Sequence, residues 1–122
     1  MSNQKRILVA EDDKNLSKSL VMDLKKSGFD VDLVTNGEET MLALGQGKYD
    51  LLLLDIIMPH QDGFSVLGRI KKDGLRIPVI VLSNLGEESD KQKSRDLGAT
   101  GFLVKADISL QEIVAKIKEI LK

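Results

Sequence analysis

Leu51-Leu52-Leu53-Leu54-Asp55, running on through Ile56-Ile57-Met58-Pro59-His60-Gln61-Asp62-Gly63, is the stretch on which the reading of this chain turns. Four consecutive leucines leave no polar alternation and hence no solvated side, so they predict a strand buried on both faces of a parallel sheet. Asp55 ends the run, and Pro59 keeps the strand from continuing. A carboxylate in that place stands at the carboxyl end of a central strand, where open α/β sheets keep their ligands. Taken alone, Asp55 is better explained as the start of a turn or the cap of the next helix. The other strand ends change that balance.

Working outward, Arg6-Ile7-Leu8-Val9-Ala10 is a second apolar run that breaks into Glu11-Asp12-Asp13. Leu16, Leu20, Val21 and Leu24 then trace one helix face, closed by Gly28. Val31 to Val34 alternates and reads as a weaker strand near a sheet edge. Asn36 with Glu39 makes a capping-box pattern that opens a helix through Leu44, ended by Gly45 and Gly47. Beyond the leucine strand, Phe64, Leu67 and Ile70 mark a helix that stops around Asp73-Gly74. Pro78 to Leu82 is another buried strand, ending at Ser83-Asn84. A mostly polar helix, Glu87 to Leu97, stops at Gly98, and Gly101 to Val104 forms a last strand before Lys105. Ser109 and Glu112 cap a final helix whose inner face is Ile113, Val114, Ile117, Ile120 and Leu121.

Five strands alternating with five helices predict an α/β fold: a flavodoxin-like (βα)5 three-layer sandwich whose parallel sheet has the order 2-1-3-4-5. A chain of 122 residues is enough for one such domain, which buries roughly two-thirds of its unfolded surface without metals or disulfides. With no cysteine there is no disulfide framework and no thiolate chemistry. The 18 basic and 19 acidic residues nearly cancel and aromatics are only 3%, which argues against direct binding of nucleic acid. No apolar run is long enough to enter a membrane and the residues from Met1 to Arg6 are polar, so neither membrane insertion nor a signal peptide is expected, and a cytoplasmic location is.

In a parallel sheet all carboxyl ends share one edge, so Glu11 and Asp12, Asp55, Ser83 and Lys105 are expected to converge. Crowded carboxylates repel unless a cation sits among them, and an oxygen-only set suits a hard ion such as Mg2+. Metal, hydroxyl and ammonium around an acid make a phosphoryl site: Lys105 pairs with a phosphate oxygen, Ser83 donates a hydrogen bond, and a carboxylate can attack phosphorus to give an acyl phosphate.

On these residues the chain resembles the receiver domain of two-component response regulators. The motifs are Ile7 to Asp13, Leu54-Asp55-Ile56-Ile57-Met58-Pro59 with Asp62-Gly63, Leu82-Ser83, and Gly98 to Lys105. The resemblance implies a single receiver domain over residues 1–122. It implies that Asp55 accepts a phosphoryl group from a histidine kinase or a histidine phosphotransfer protein. Mg2+ would be bound by Asp12, Asp55 and the Ile57 carbonyl, with Glu11 acting through water; Asp13 is assigned to helix capping instead. It implies a switch in which Ser83 moves toward the phosphoryl group, Phe102 turns inward, and the α4-β5-α5 face changes for partner binding or phosphorelay. The downstream effector is not named by these residues. With nothing after Lys122, the expectation is a protein acting by transient binding or relay, or a piece of a longer chain.

The chain departs from the family where proline usually follows the conserved lysine. Ala106 stands there, and since a cis bond before a non-proline residue costs roughly 2.5–4 kcal/mol, the Lys105–Ala106 peptide is expected to be trans. Asn84, beside Ser83, either narrows the approach to the phosphoryl group or donates a hydrogen bond to it. Ile57 and Leu85 occupy the two positions that, in relatives, flank the path of the hydrolytic water; both are apolar, which predicts a long-lived acyl phosphate. His60, the only histidine, reads as a solvated loop residue, and Lys116, Lys118 and Lys122 as a solvated helix face.

Other classes fit less well. A flavodoxin-like flavin binder would have its phosphate repelled by Glu11-Asp12-Asp13. An aspartyl-phosphate hydrolase would want a second aspartate where Ile57 stands. A receiver-like adaptor that docks partners without phosphorylation is the main alternative, and the complete set of Glu11, Asp12, Asp55, Ser83 and Lys105 speaks against it.

Overall fold

A computed structural model describes residues 4–58, 62–84 and 86–122. The expectations for residues 1–3, Pro59, His60, Gln61 and Leu85 lie outside these. The strands are β1 (Arg6–Ala10), β2 (Asp30–Val34), β3 (Leu51–Leu54), β4 (Val79–Ser83) and β5 (Gly101–Val104). The helices are α1 (Lys14–Lys26), α2 (Gly37–Gln46), α3 (Gly63–Lys72), α4 (Glu88–Asp96) and α5 (Leu110–Ile120), with a short 3-10 turn at Lys105–Asp107. All strand pairs are parallel, and the sheet order is β2-β1-β3-β4-β5, as read from the sequence.

The leucine strand is the middle of this arrangement because its side chains feed two cores at once. Leu51 and Leu53 join Leu20 and Leu24 of α1 and Ile113 and Ile117 of α5. Leu52 and Leu54 point the other way, into Val66, Leu67 and Ile70 of α3. None of the four is more than 1% exposed, and burying a leucine is worth about 1.5–3 kcal/mol over leaving it in water. β2, at the sheet edge, buries only Val31 fully.

Helix ends follow the sequence signals. Asp13 caps α1, accepting from the amides of Asn15 and Leu16 at 3.0 and 3.1 Å. Asn36 caps α2 by accepting from the Glu39 amide, but the Glu39 side chain accepts from Thr35 instead of Asn36, so the expected box is only half formed; Asp62 caps α3, and Ser109 and Glu112 form the reciprocal capping box of α5. Gly45 proves to lie inside α2, and Gly47 alone ends it. That is tolerable because a helical glycine only forgoes propensity, about 1 kcal/mol against alanine.

Helix α4 is the outlier. Among its residues only Ser94 is buried, so no apolar stripe anchors it to the sheet. Polar clasps hold it instead: Lys93 Nζ stands 4.3 Å from the centre of the Phe64 ring on α3, and Lys71 Nζ donates to the Asp96 carbonyl at 2.8 Å. Such contacts are worth little individually at a wet surface. Among the described residues every peptide bond is trans, that between Lys105 and Ala106 included.

Candidate functional site

Strand register carries the acidic residues to one place. Ala10 of β1 pairs with Leu54 of β3, and the Asp55 amide donates to the Ala10 carbonyl at 2.9 Å. Glu11 and Asp12 therefore leave β1 beside Asp55. Their side chains meet: one carboxylate oxygen from each of Glu11, Asp12 and Asp55 lies within 4.8 Å of the other two. Glu11 and Asp55 are 2% and 4% exposed, whereas Asp12 faces solvent. From the other side, Ser83 pairs with Val104, which puts Lys105 one residue beyond the pair. Its Nζ reaches Glu11 Oε1 at 2.8 Å and Asp55 Oδ2 at 3.2 Å.

Burial sets the electrostatics. Desolvation pushes the Glu11 carboxyl up to about 7, with the Asp55 charge adding to it, even though Lys105 and the Asp13 amide favour the ionised form. Burial works against the Lys105 charge too, but its contacts with Glu11 and Asp55 prevail and hold it above its ordinary value. Backbone amides fix the two acids: Asp13 N donates to Glu11 Oε2 at 3.1 Å and Ile57 N to Asp55 Oδ1 at 3.0 Å. The Asp13 side chain is committed to the end of α1 and only its amide serves the site, which agrees with its assignment to capping.

These residues fit a divalent cation. Glu11 Oε1 is buried and held by the Lys105 ammonium at 2.8 Å. Three carboxylates that meet with a single ammonium against two of them are a donor set that a hard, oxygen-seeking ion satisfies.

Other predicted residues reach the same edge by different routes. Ser83 is fully buried as the last residue of β4. Phe102 is half-buried on β5 and packs against the core on the α3 side. Ile57 is exposed, next to Asp55. What the sequence reading missed is the pair of backbone amides on Glu11 and Asp55, for which residue types give no signal. It also missed the 3-10 turn that starts at Lys105. At the opposite, amino-terminal side of the sheet it missed a cluster in which Arg6 meets Asp32 at 3.2 Å and lies 4.7 Å from the centre of the Tyr49 ring.

A doubly wound five-stranded parallel sheet with acidic groups and a lysine at its carboxyl edge defines the class: a flavodoxin-like α/β domain whose ligand site lies at the strand ends. Within that class, residues 7–118 match the response regulator receiver domain, and the chain belongs to this family. It is accordingly a signalling domain and not an enzyme that turns over an external substrate. Among its relatives, CiaR of Streptococcus pneumoniae, a transcriptional regulatory protein, is 37% identical over 96% of this chain and 51% of its own length. PcoR of Escherichia coli, also a transcriptional regulatory protein, is 32% identical over 96% of this chain and 51% of its own. The chain thus spans about half the length of these curated relatives.

Among solved structures, the receiver domain of the Francisella response regulator 1452 superposes with a TM-score of 0.91 at 27% identity, covering 96% of both chains. The response regulator TrrA of Thermotoga maritima, solved in complex with Mg2+ and BeF, superposes with a TM-score of 0.84 at 32% identity, covering 96% of this chain and 99% of that one. Among the described residues no helix is long and apolar enough to cross a membrane.

Proposed function

We propose that this domain is a phosphorylation-dependent signalling switch whose acceptor is Asp55. The observation that carries the reading is the meeting of Glu11, Asp12 and Asp55 within 4.8 Å under a lysine that contacts two of them. A histidine kinase or histidine phosphotransfer protein presents a phosphohistidine at the carboxyl edge of the sheet. An Asp55 carboxylate oxygen attacks phosphorus as the phosphorus–nitrogen bond breaks; the imidazole leaves and takes up a proton. Lys105 turns from the carboxylates to the incoming phosphoryl oxygens, and Ser83 donates to another. Asp12, Asp55 and the Ile57 carbonyl would hold Mg2+ directly and Glu11 would do so through water. Bound there, the ion neutralises carboxylate and phosphoryl charge together.

The readout follows from the weak anchoring of α4. A shift of Ser83 toward the phosphoryl group, with Phe102 turning inward behind it, repacks the α4, β5 and α5 face for a downstream partner or for onward relay. An element held by polar clasps can be repopulated by a coupling energy on the order of 1–3 kcal/mol. The single domain takes in residues 1–122, and a cytoplasmic setting suits its chemistry. Likeness to a protein solved with Mg2+ and BeF supports the metal assignment.

The test is incubation with a small acyl phosphate and Mg2+, read by intact mass. One phosphoryl group should add to the native chain, none after removal of the metal by chelation, and none to Asp55→Asn. Equal labelling of Asp55→Asn would overturn the assignment.

A further inference from the structure

The sheet ends at β2, which pairs with β1 on one side only. The Asp30 amide donates to the Lys5 carbonyl, and the Val34 carbonyl accepts from the Glu11 amide. Residues 30, 32 and 34 therefore turn their backbone groups toward β1, and Val31 and Leu33 turn theirs outward. Such an edge is a template for another extended chain. Here it lies under an overhang. Helix α1 stands over β2 and leaves a groove of about 840 Å³, lined among others by Lys14, Lys18, Val21, Met22, Lys25 and Leu33. Two large apolar side chains open into it: Met22 is 49% and Leu33 42% exposed.

Charge decides what fits the groove. Lys14, Lys18 and Lys25 are spaced four and seven apart, so they share one face of α1. Among the described residues none of these three ammonium groups is in an ion pair. The acids of the lining are already engaged. Asp12 belongs to the acidic cluster at the carboxyl edge, and Asp32 accepts from Arg6 and Tyr49. A second copy of the chain would set lysines against lysines and the aspartates of one β2 against those of the other, so like charges oppose it. A helix cannot meet the outward groups either, because its own amides and carbonyls bond within it.

We propose that the groove takes an extended acidic segment of a partner protein, which adds to β2 as a sixth strand. Its backbone bonds to Val31 and Leu33, and apolar side chains at alternate positions cover Met22 and Leu33 beneath α1. Carboxylates on the segment meet Lys14, Lys18 and Lys25. Backbone pairing supplies the affinity, and the lysines select acidic over basic segments. This edge is at the far end of the sheet from β5, so the surface is separate from the α4, β5 and α5 face and goes beyond the function given above. It needs no phosphorylation.

The experiment titrates a short blocked peptide of alternating glutamate and valine into the isotope-labelled, unphosphorylated full chain and follows amide shifts and amide hydrogen exchange. A lysine–valine peptide of the same length is the charge control. Two further versions, N-methylated at the valines or at the glutamates, are the backbone control, since in either direction of entry one of them carries its methyl groups on the edge turned to β2. Saturable shifts along β2 and α1 are expected, with exchange of the Val31 and Leu33 amides slowed about tenfold or more. One N-methylated version should bind like the parent peptide and the other not at all. The Lys18→Glu, Lys25→Glu double variant should weaken binding about tenfold or more; both lysines are exposed, and unchanged amide dispersion will show that the variant stays folded. Several outcomes overturn the proposal: exchange of Val31 and Leu33 that the peptide does not slow, equal binding of the lysine–valine peptide, binding of both N-methylated versions, native affinity in the double variant, or shifts centred on α4 and β5. Protection of the same two amides in the chain alone, rising with its concentration, would give the edge to a second copy and overturn it as well.

Discussion

The Gly63 amide donates to the Ile56 carbonyl at 2.7 Å, and a Cβ built on Gly63 would stand 2.6 Å from the Ile56 Cα. The first turn of α3 is thereby pressed onto the backbone that carries Asp55, an approach only a residue without a side chain can make. Gly63→Ala must push the two backbones apart. Its expected cost is about 1–3 kcal/mol in urea unfolding, as for other overpacked sites, together with slower labelling of Asp55. An alanine variant as stable as the native chain would show that the contact is not needed.

The adjacent acids Asp12 and Asp13 are expected to separate cleanly. Asp13→Ala loses the α1 cap and about 1 kcal/mol of stability, but it keeps the amide that holds Glu11, so Mg2+ affinity should stay the same. Asp12→Asn keeps the cap and should lose at least about tenfold in Mg2+ affinity, since even residues supporting a ligand from behind cost that much. Calorimetric Mg2+ titration alongside unfolding of each variant reads both quantities, and a large loss of Mg2+ affinity in Asp13→Ala would reverse the assignment.

Tyr49 offers a pH test far from the site. Burial first, and then its 2.7 Å hydrogen bond to Asp32, push the phenol up to about 12. A raised folded value means the fold favours the neutral phenol. Its contribution is therefore complete below the ordinary value of 10 and is lost as the pH rises through about 12. The chain has one tyrosine and no tryptophan, so tyrosinate absorbance reports this group alone. The midpoint should fall toward the ordinary value in Asp32→Asn; an unmoved midpoint would assign the shift to burial alone.

Ile57 is 57% exposed beside Asp55, and its side chain can neither accept a proton from a water nor orient one. Replacing it with Asn or Glu should speed loss of the phosphoryl group by about tenfold or more, at the low end of what a positioned base supplies. The rate is measured as release of inorganic phosphate after the donor is removed. Unchanged or slower decay would mean that something other than the missing polar group governs the lifetime.

The architecture was legible because it rests on local patterns: unbroken apolar runs for the covered strands, helical spacing between them, and side-chain caps at Asp13, Asn36 and Ser109. Residues at strand ends were legible as a set for the same reason, since a parallel sheet sends every carboxyl end to one edge. The polar character of α4 was plain as well. What could not be read was how unequally the fold treats similar residues. Glu11 and Asp55 are buried while Asp12 is exposed, and Ser94 is the one residue of a polar helix that is sealed from water.

By itself, then, the order of residues determined the parallel sheet, its strand order and which side chains gather at its edge, because hydrophobic period and strand direction are properties of short stretches. Tertiary packing decided the rest. It set the Glu11 carboxyl near 7, brought Lys105 across to two acids, and sealed the Ser94 hydroxyl from water. Desolvation and charge contact depend on which distant segments close over a group, and that is known only once the helices have settled on the sheet.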